Sequence, residues 1–369
     1  MPSHRVHNFN PGPAALPLPV LEQAQRELID YQGTGMSILE ASHRGKAYEA
    51  VHFSAITDLK TLVGAGDDWR VLFMGGGASA QFAMVPLNLL PSGSFAQYVT
   101  TGSWSEAALK EGKKLGEVRE AWTSGPEHRR VPTAGDVQVD PKARYLHYTS
   151  NNTIYGTQYP SAPEVAGTGN GGDQVPLIAD MSSDMLSRPI DLARHGLIYA
   201  GAQKNLGPAG VTVVWAHTSL LERCRGDVPQ IWSYKQFAEK DSLLNTPPCF
   251  AIYIVGLVAK YLLDAGGLGW AKKRNDEKTR LLYGAIDQSE GFYRGHAETA
   301  SRSAMNVTFR LPTAELEEGF AKEATAAGLT GLKGHRSVGG MRASIYNAVP
   351  LESVQALVAF MQQFRAKHA

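Results

Sequence analysis

Cysteine is scarce in this chain: 369 residues contain two, Cys224 and Cys249. So small a number offers no disulfide framework, and the two are not spaced like metal ligands. Both thiols read as reduced groups in a cytoplasmic protein. An excess of charge of one sign is also missing. Lys and Arg number 36 against 35 Asp and Glu, a formal net charge of +1, so no overall field would gather nucleic acid or a membrane surface. No apolar run reaches membrane-spanning length. The opening Met1-Pro2-Ser3-His4-Arg5-Val6-His7 lacks the apolar core of a signal peptide. Eleven histidines show no helical or finger-type pairing, so no metal site is expected, and there is no internal repeat. What is present is an ordinary globular balance, 43% hydrophobic and 19% charged, over a length that predicts two domains.

Strand-like and helix-like stretches alternate through the first two-thirds of the chain. Apolar strands are expected at Trp69–Met74, Phe95–Thr100 and Tyr145–Thr149, near 177 and 197, and returning from Val211. Helices are expected over 81–90 and 105–115. This alternation predicts an α/β fold, with a mainly parallel sheet between helices. The Gly-rich stretch 167–172 reads as a surface loop. From about residue 250 the pattern changes to helices over 251–264 and 270–289, a strand at 305–310, and helices near 314–327 and 351–367. The expected division is a large domain with the N-terminal segment, 1–255, and a small C-terminal α/β domain, 256–369.

Within this frame Lys204 stands out. The apolar Leu197-Ile198-Tyr199-Ala200-Gly201 leads to it, and a Gly/Pro turn separates it from a second apolar strand. A lysine at the tip of an apolar hairpin is costly unless burial lowers its pKa to some purpose. Upstream, Pro176-Leu177-Ile178-Ala179 ends in a single carboxylate, Asp180. A buried lysine and a buried aspartate at strand ends suit pyridoxal 5'-phosphate (PLP). The lysine holds the aldehyde, and the aspartate keeps the pyridine nitrogen protonated so that the ring can draw off electrons. A purely structural Asp180–Lys204 ion pair is the alternative. Gly75–Ala80 lies between a strand and a helix, where backbone N–H groups can cradle a phosphate, although it matches neither the Walker nor the dinucleotide fingerprint. Trp104, at the start of a helix, could stack on a flat ring or simply pack in the core. Thr153 or a neighbouring asparagine could meet a ring hydroxyl. Two basic clusters, His43-Arg44 and His335-Arg336 with Arg342, suit two-point anion recognition.

Together these segments resemble the phosphoserine aminotransferases, class V members of the fold-type I PLP enzymes. The likeness spans essentially the whole chain. It is carried by Asn10-Pro11-Gly12-Pro13-Ala14, Ser42-His43-Arg44-Gly45-Lys46, Ala200–Asn205, Asn245-Thr246-Pro247-Pro248 and the run from His335 to Ala348. The resemblance implies that Lys204 binds the cofactor and then shuttles the α-proton, that Asp180 pairs with the pyridine nitrogen, and that Trp104 stacks on the ring. Ala78, Ser79 and Gln203 would hold the cofactor phosphate, and Thr153 the ring hydroxyl. Asn245 and Thr246 would reach the phosphate of the neighbouring subunit's cofactor, which implies a homodimer with shared sites. Arg342 would hold the substrate α-carboxylate, while His43, Arg44, His335 and Arg336 would surround its distal anion. The implied reaction moves an amino group between glutamate and 3-phosphohydroxypyruvate, in serine biosynthesis. A second implied substrate is the 4-phosphohydroxythreonine pair of pyridoxine synthesis. There are departures. Asn10-Pro11 stands where relatives often carry Ser-Ser, and Ala78-Ser79 where the phosphate loop often reads Gly-Arg. An alanine–glyoxylate aminotransferase would not need the second basic cluster. A cysteine desulfurase would need a nucleophilic cysteine on a mobile loop, and a non-catalytic phosphate-binding protein would leave Lys204, Asp180 and Trp104 unrelated.

Overall fold

The computed structural model describes residues 5–170 and 174–369; residues 171–173, which include the end of the Gly-rich stretch, lie outside the described residues. The main sheet runs, edge to edge, Trp69–Met74, Thr212–His217, Leu197–Gly201, Val175–Asp180, Leu146–Thr149, Phe95–Thr100 and Glu117–Thr123. Its pairings are parallel except those of Thr212–His217, which runs antiparallel to both neighbours. The short strand Thr168–Gly169 adds to Val175–Asp180. This is the mainly parallel α/β sheet that the alternation predicts.

The central strands show no polar alternation because helices cover both faces of the sheet. Every residue of Phe95–Thr100, Leu146–Thr149, Val175–Asp180 and Leu197–Gly201 is buried. Successive side chains still divide between the faces. Leu177 and Ala179 join a core with helices Lys46–Val63 and Cys249–Asp264, whereas Ile178 joins another with Gly77–Leu89 and Ser103–Leu115. Truncating Leu177 or Ile178 to alanine would cost about 2–5 kcal/mol on either side.

A second, smaller sheet is antiparallel: Arg294–Gly295, Asn306–Arg310 and Met341–Ser344. Its core contains Leu282 and Ile286 from the helix Gly267–Asp287, Phe320 from Ala314–Ala326, and Leu357, Met361 and Phe364 from Leu351–His368. The N-terminal segment belongs to this core as well. His7–Asn8 pairs with Leu329–Thr330, and Phe9 and Ala15 are buried in the smaller core. Cys249–Asp264 instead buries Ile252, Val255 and Val258 in the larger one. The expected boundary at 255/256 therefore falls inside a helix of the larger core.

Two helices begin earlier than their apolar periodicity suggests, at Gly77 and Ser103. In the first, Gly76 adopts φ +85°, a conformation a glycine tolerates, and turns the chain directly into the helix. In the second, Ser105 Oγ accepts the N–H groups of Thr101 and Gly102 at 2.8 and 3.0 Å, closing the first turn.

Candidate active site

Five chain segments leave the main sheet at its carboxyl edge, and each delivers a singled-out residue there. Trp69–Met74 leads to Ala78 and Ser79, Phe95–Thr100 to Trp104, and Leu146–Thr149 to Thr153. Val175–Asp180 ends on Asp180, and Leu197–Gly201 leads to Gln203 and Lys204. All of these residues, with His335 and Arg342 from the smaller unit, line one cavity of about 410 Å³. A crevice beyond the carboxyl ends of parallel strands is where this architecture places ligands.

Lys204 sits in the tight connection from Ala202 to Val211, which is closed by Ala202 N–H to Val211 O at 3.0 Å and Gly207 N–H to Ala202 O at 2.7 Å. The N-terminal segment clamps this connection through Ala14 N–H to Gln203 O at 2.9 Å. Gly12, at φ +135°, passes so near that a Cβ there would lie 3.3 Å from Lys204 Cγ. The Lys204 ammonium donates to Thr153 Oγ1 at 3.1 Å. Desolvation pushes its pKa down to about 8; Asp180 opposes this and Arg342 reinforces it. Asp180 is buried, and burial raises its carboxyl above the usual range. Ser182 opposes that rise by hydrogen bonding, including its N–H to Asp180 Oδ1 at 2.9 Å. Both groups are therefore held in environments that penalise their charges.

The helix Gly77–Leu89 starts at the cavity, and no side chain caps its first turn. Ala80 is the first residue whose N–H turns back to Gly76, at 3.2 Å, which leaves the N–H groups of Gly77, Ala78 and Ser79 facing a potential anion. Across the cavity Arg342 is 5% exposed, with Nη1 donating to Thr153 O at 3.4 Å and Nε buried without a partner. An unpaired buried guanidinium N–H is costly unless a ligand meets it. An uncapped helix end, a half-exposed Trp104, a desolvated amine and a buried carboxylate together fit a flat, phosphorylated aldehyde with a heteroaromatic nitrogen. Arg342 then remains for a carboxylate.

Other singled-out residues lie elsewhere. His43, Arg44, Asn245, Thr246 and Arg336 do not line this cavity; Arg44, Asn245, Thr246 and Arg336 are exposed and His43 half-buried. Of the asparagines beside Thr153, Asn152 Nδ2 is committed to Thr101 Oγ1 at 2.7 Å, and Asn151 Nδ2 to Ser183 Oγ and Asn306 Oδ1, both at 2.7 Å. Thr153 is thus the residue with a side-chain hydroxyl on the lysine. At the position of the expected serines, Pro11 lines the cavity and offers only a carbonyl, which accepts Tyr346 Oη–H at 2.8 Å. Neither cysteine lines the cavity, and burial pushes the Cys224 thiol up to about 12, away from a reactive thiolate.

Sequence reasoning gave no role to Ser182, which orients Asp180 and whose Oγ accepts Gly201 N–H at 3.1 Å. The Ser-Ser pair directly after the strand-ending aspartate was the available signal. Asp184 was also missed. It accepts from Ser150 and, at 3.0 and 3.3 Å, from Gln158 and Arg188, and so pins the turn after Asp180. No local motif marks it. Among the described residues no group of three or more His, Cys, Asp or Glu could hold a metal ion. No single helix there is long and apolar enough to cross a membrane.

Comparison with known proteins identifies the family. The class-V aminotransferase family matches residues 6–357. A phosphoserine aminotransferase of Desulfatibacillum aliphaticivorans is 53% identical over 366 residues, covering 99% of each chain. The solved phosphoserine aminotransferase of Bacillus circulans subsp. alkalophilus is 52% identical, with a TM-score of 0.95 over 100% of both chains. A PLP-bound phosphoserine aminotransferase structure from Trichomonas vaginalis is 37% identical, with a TM-score of 0.90 over 97% of this chain and 100% of that one. On full-length identity at this level, and on the same fold, the chain belongs to the class-V aminotransferases and, within them, to the phosphoserine aminotransferases.

Proposed function

We propose that the protein is a PLP-dependent phosphoserine aminotransferase, moving an amino group reversibly between glutamate and 3-phosphohydroxypyruvate to give 2-oxoglutarate and O-phosphoserine. The observation that carries this reading is the placement of Arg342, buried and incompletely paired, in the same cavity as Lys204 and Asp180. That set provides an amine, a ring-nitrogen partner and a carboxylate anchor, and the named relatives supply the substrate.

In this reading Ala78, Ser79 and Gln203 hold the cofactor phosphate, the first two through N–H groups at the helix end. Trp104 covers the ring, Thr153 meets its hydroxyl and Asp180 its nitrogen. When bound, PLP supplies an electron sink for the charge released at the substrate Cα, and carries the amino group between the two half-reactions. Lys204 anchors the cofactor, then removes and returns the α-proton; the lowered pKa of its amine favours the neutral form this needs. Arg342 fixes the α-carboxylate, and His335 in the cavity wall, with Arg336 next to it on the same turn just outside, receives the distal phosphate or carboxylate. Since both substrates carry these two anions, one set of side chains serves both half-reactions.

His43, Arg44, Asn245 and Thr246 fit best as contributions to the partner's site in a homodimer, since they stand away from the cavity of their own chain. We place the enzyme in the cytoplasm. The domain division is best drawn within Gly267–Asp287, rather than at 255/256, with residues 6–15 in the smaller unit. The test is the near-visible absorbance of the lysine-bound cofactor. It should bleach on adding phosphoserine; bleaching only with other amino acids would move the substrate, and no absorbance after reconstitution with PLP would remove the reading.

A further inference from the structure

The cleft does not end at Arg342. Ile154 and Arg342 line both the cavity of Lys204 and a second hollow of about 370 Å³. Arg129, His296 and Arg310 line that hollow and a third of about 410 Å³, whose wall also carries Arg294. The shared lining residues place the three hollows side by side along one path, in the order Arg294, Arg129 and Arg310, then Arg342 beside Lys204.

The acidic groups beside this path balance it only in part: Glu317 offsets Arg310, which leaves Arg129 and Arg294. Glu317 is already engaged by Arg310 Nε at 2.6 Å and by the N–H groups of Leu311 and Gly340 at 3.3 and 3.2 Å. Glu127 approaches Arg129 only to 3.9 Å. Arg310 Nη1 donates to Val338 O at 2.7 Å, which ties the path to the turn carrying His335. Arg129 and Arg294 are exposed. A single exposed arginine is a solvated group, but here they converge on one concave wall, where low-dielectric surroundings focus the field. The chain as a whole carries a net charge of only +1, so any attraction of anions has to be local.

We propose that Arg129, Arg294 and Arg310 form an anion-gathering vestibule that draws phosphorylated amino and keto acids toward Arg342. The inference rests on the substrate reading above. Arg310 also braces Glu317, so Arg129 and Arg294 are the residues to test, by R129Q/R294Q in the enzyme loaded with PLP. The measurement is the second-order rate of spectral change on rapid mixing with phosphoserine, glutamate or alanine, from about 20 mM to about 500 mM NaCl.

At low salt the double variant should react with phosphoserine roughly 3–10-fold more slowly than the parent, and the two should converge at high salt. The deficit should be smaller for glutamate and absent for alanine. In the cofactor-free protein, phosphorus NMR line broadening of phosphoserine at low salt should weaken in the variant. Equal rates and salt slopes in parent and variant would overturn the vestibule, as would an equal loss with alanine. If phosphoserine left the parent's spectrum unchanged, the substrate reading would fall, and the same comparison with glutamate would still decide the vestibule.

Discussion

Two lysines in this molecule are desolvated, and their surroundings differ in an instructive way. Lys204 has its pKa pushed down to about 8 and Lys278 to about 7, in both cases chiefly by burial. Lys278, on the helix Gly267–Asp287, is 1% exposed and donates to three carbonyls, Ile345 O at 2.8 Å, Tyr346 O at 2.7 Å and Val349 O at 3.1 Å. Its three donors are all used, and it does not line the cavity of Lys204. Lys204 makes one side-chain bond, to Thr153, and opens onto a cavity with a carboxylate and an arginine nearby. Desolvation alone therefore does not mark a catalytic lysine. An incomplete set of partners beside open space does.

Substituting each lysine should separate the two cases. Lys204→Ala should lower turnover by about 10⁴-fold or more, since on the proposed function it removes both the cofactor anchor and the proton carrier. Its melting temperature without cofactor should stay at or above that of the parent, because a desolvated cation has gone. Appreciable multiple turnover in this variant would break the comparison. Arg342→Ala should reduce kcat/KM for every amino-acid substrate by about 30-fold or more, the loss expected of a buried charged hydrogen bond. Arg336→Ala should mainly weaken substrates with a distal anion. Equal losses with phosphoserine and alanine in both variants would undo that division of roles.

Lys278→Met should show the opposite profile. It strands three carbonyls but relieves a buried charge, so a net loss of about 2–4 kcal/mol is expected in denaturant unfolding. Activity at low temperature should change little. A variant of unchanged stability but impaired turnover would place Lys278 in the catalytic machinery.

This difference also decides what could be read from the sequence. Lys204, Asp180 and Trp104 were legible because each follows an apolar strand of a regular α/β alternation, and strand ends in such a sheet share one edge. The main-sheet strands through the center were legible for the same reason, being predominantly apolar and wholly buried. Lys278 was written in the helix pattern but passed unnoticed. The inward positions Ala271, Asn275, Lys278, Leu282 and Ile286 follow helical spacing, with two polar residues on a face that should be apolar. The helix Lys46–Val63 and the strands Glu117–Thr123 and Met341–Ser344 were not foreseen. The edge strand Glu117–Thr123 buries only Val118, and Met341–Ser344 carries a buried arginine, so neither shows an apolar run. The N-terminal segment's place in the smaller core depends on pairing with Leu329–Thr330, a contact that local pattern cannot reveal.

The finest test of the comparison is a pH dependence. In the cofactor-free protein the neutral amine of Lys204 is the form that attacks an aldehyde. With its pKa lowered from 10.5 to about 8, roughly a quarter of the amine is neutral at a pH of about 7.5, against roughly a thousandth for an ordinary lysine. The rate of PLP uptake should therefore rise with pH and level off above about 8. Asp180 favours the charged amine, so Asp180→Asn should move that midpoint to lower pH. Arg342 acts in the other direction, and Arg342→Gln should move it up. Lys278 should not contribute to this profile, because its amine is already engaged by three carbonyls. A midpoint that ignored both neighbours of Lys204 would mean that burial alone sets its reactivity, and would erase the electrostatic half of the distinction between the two lysines.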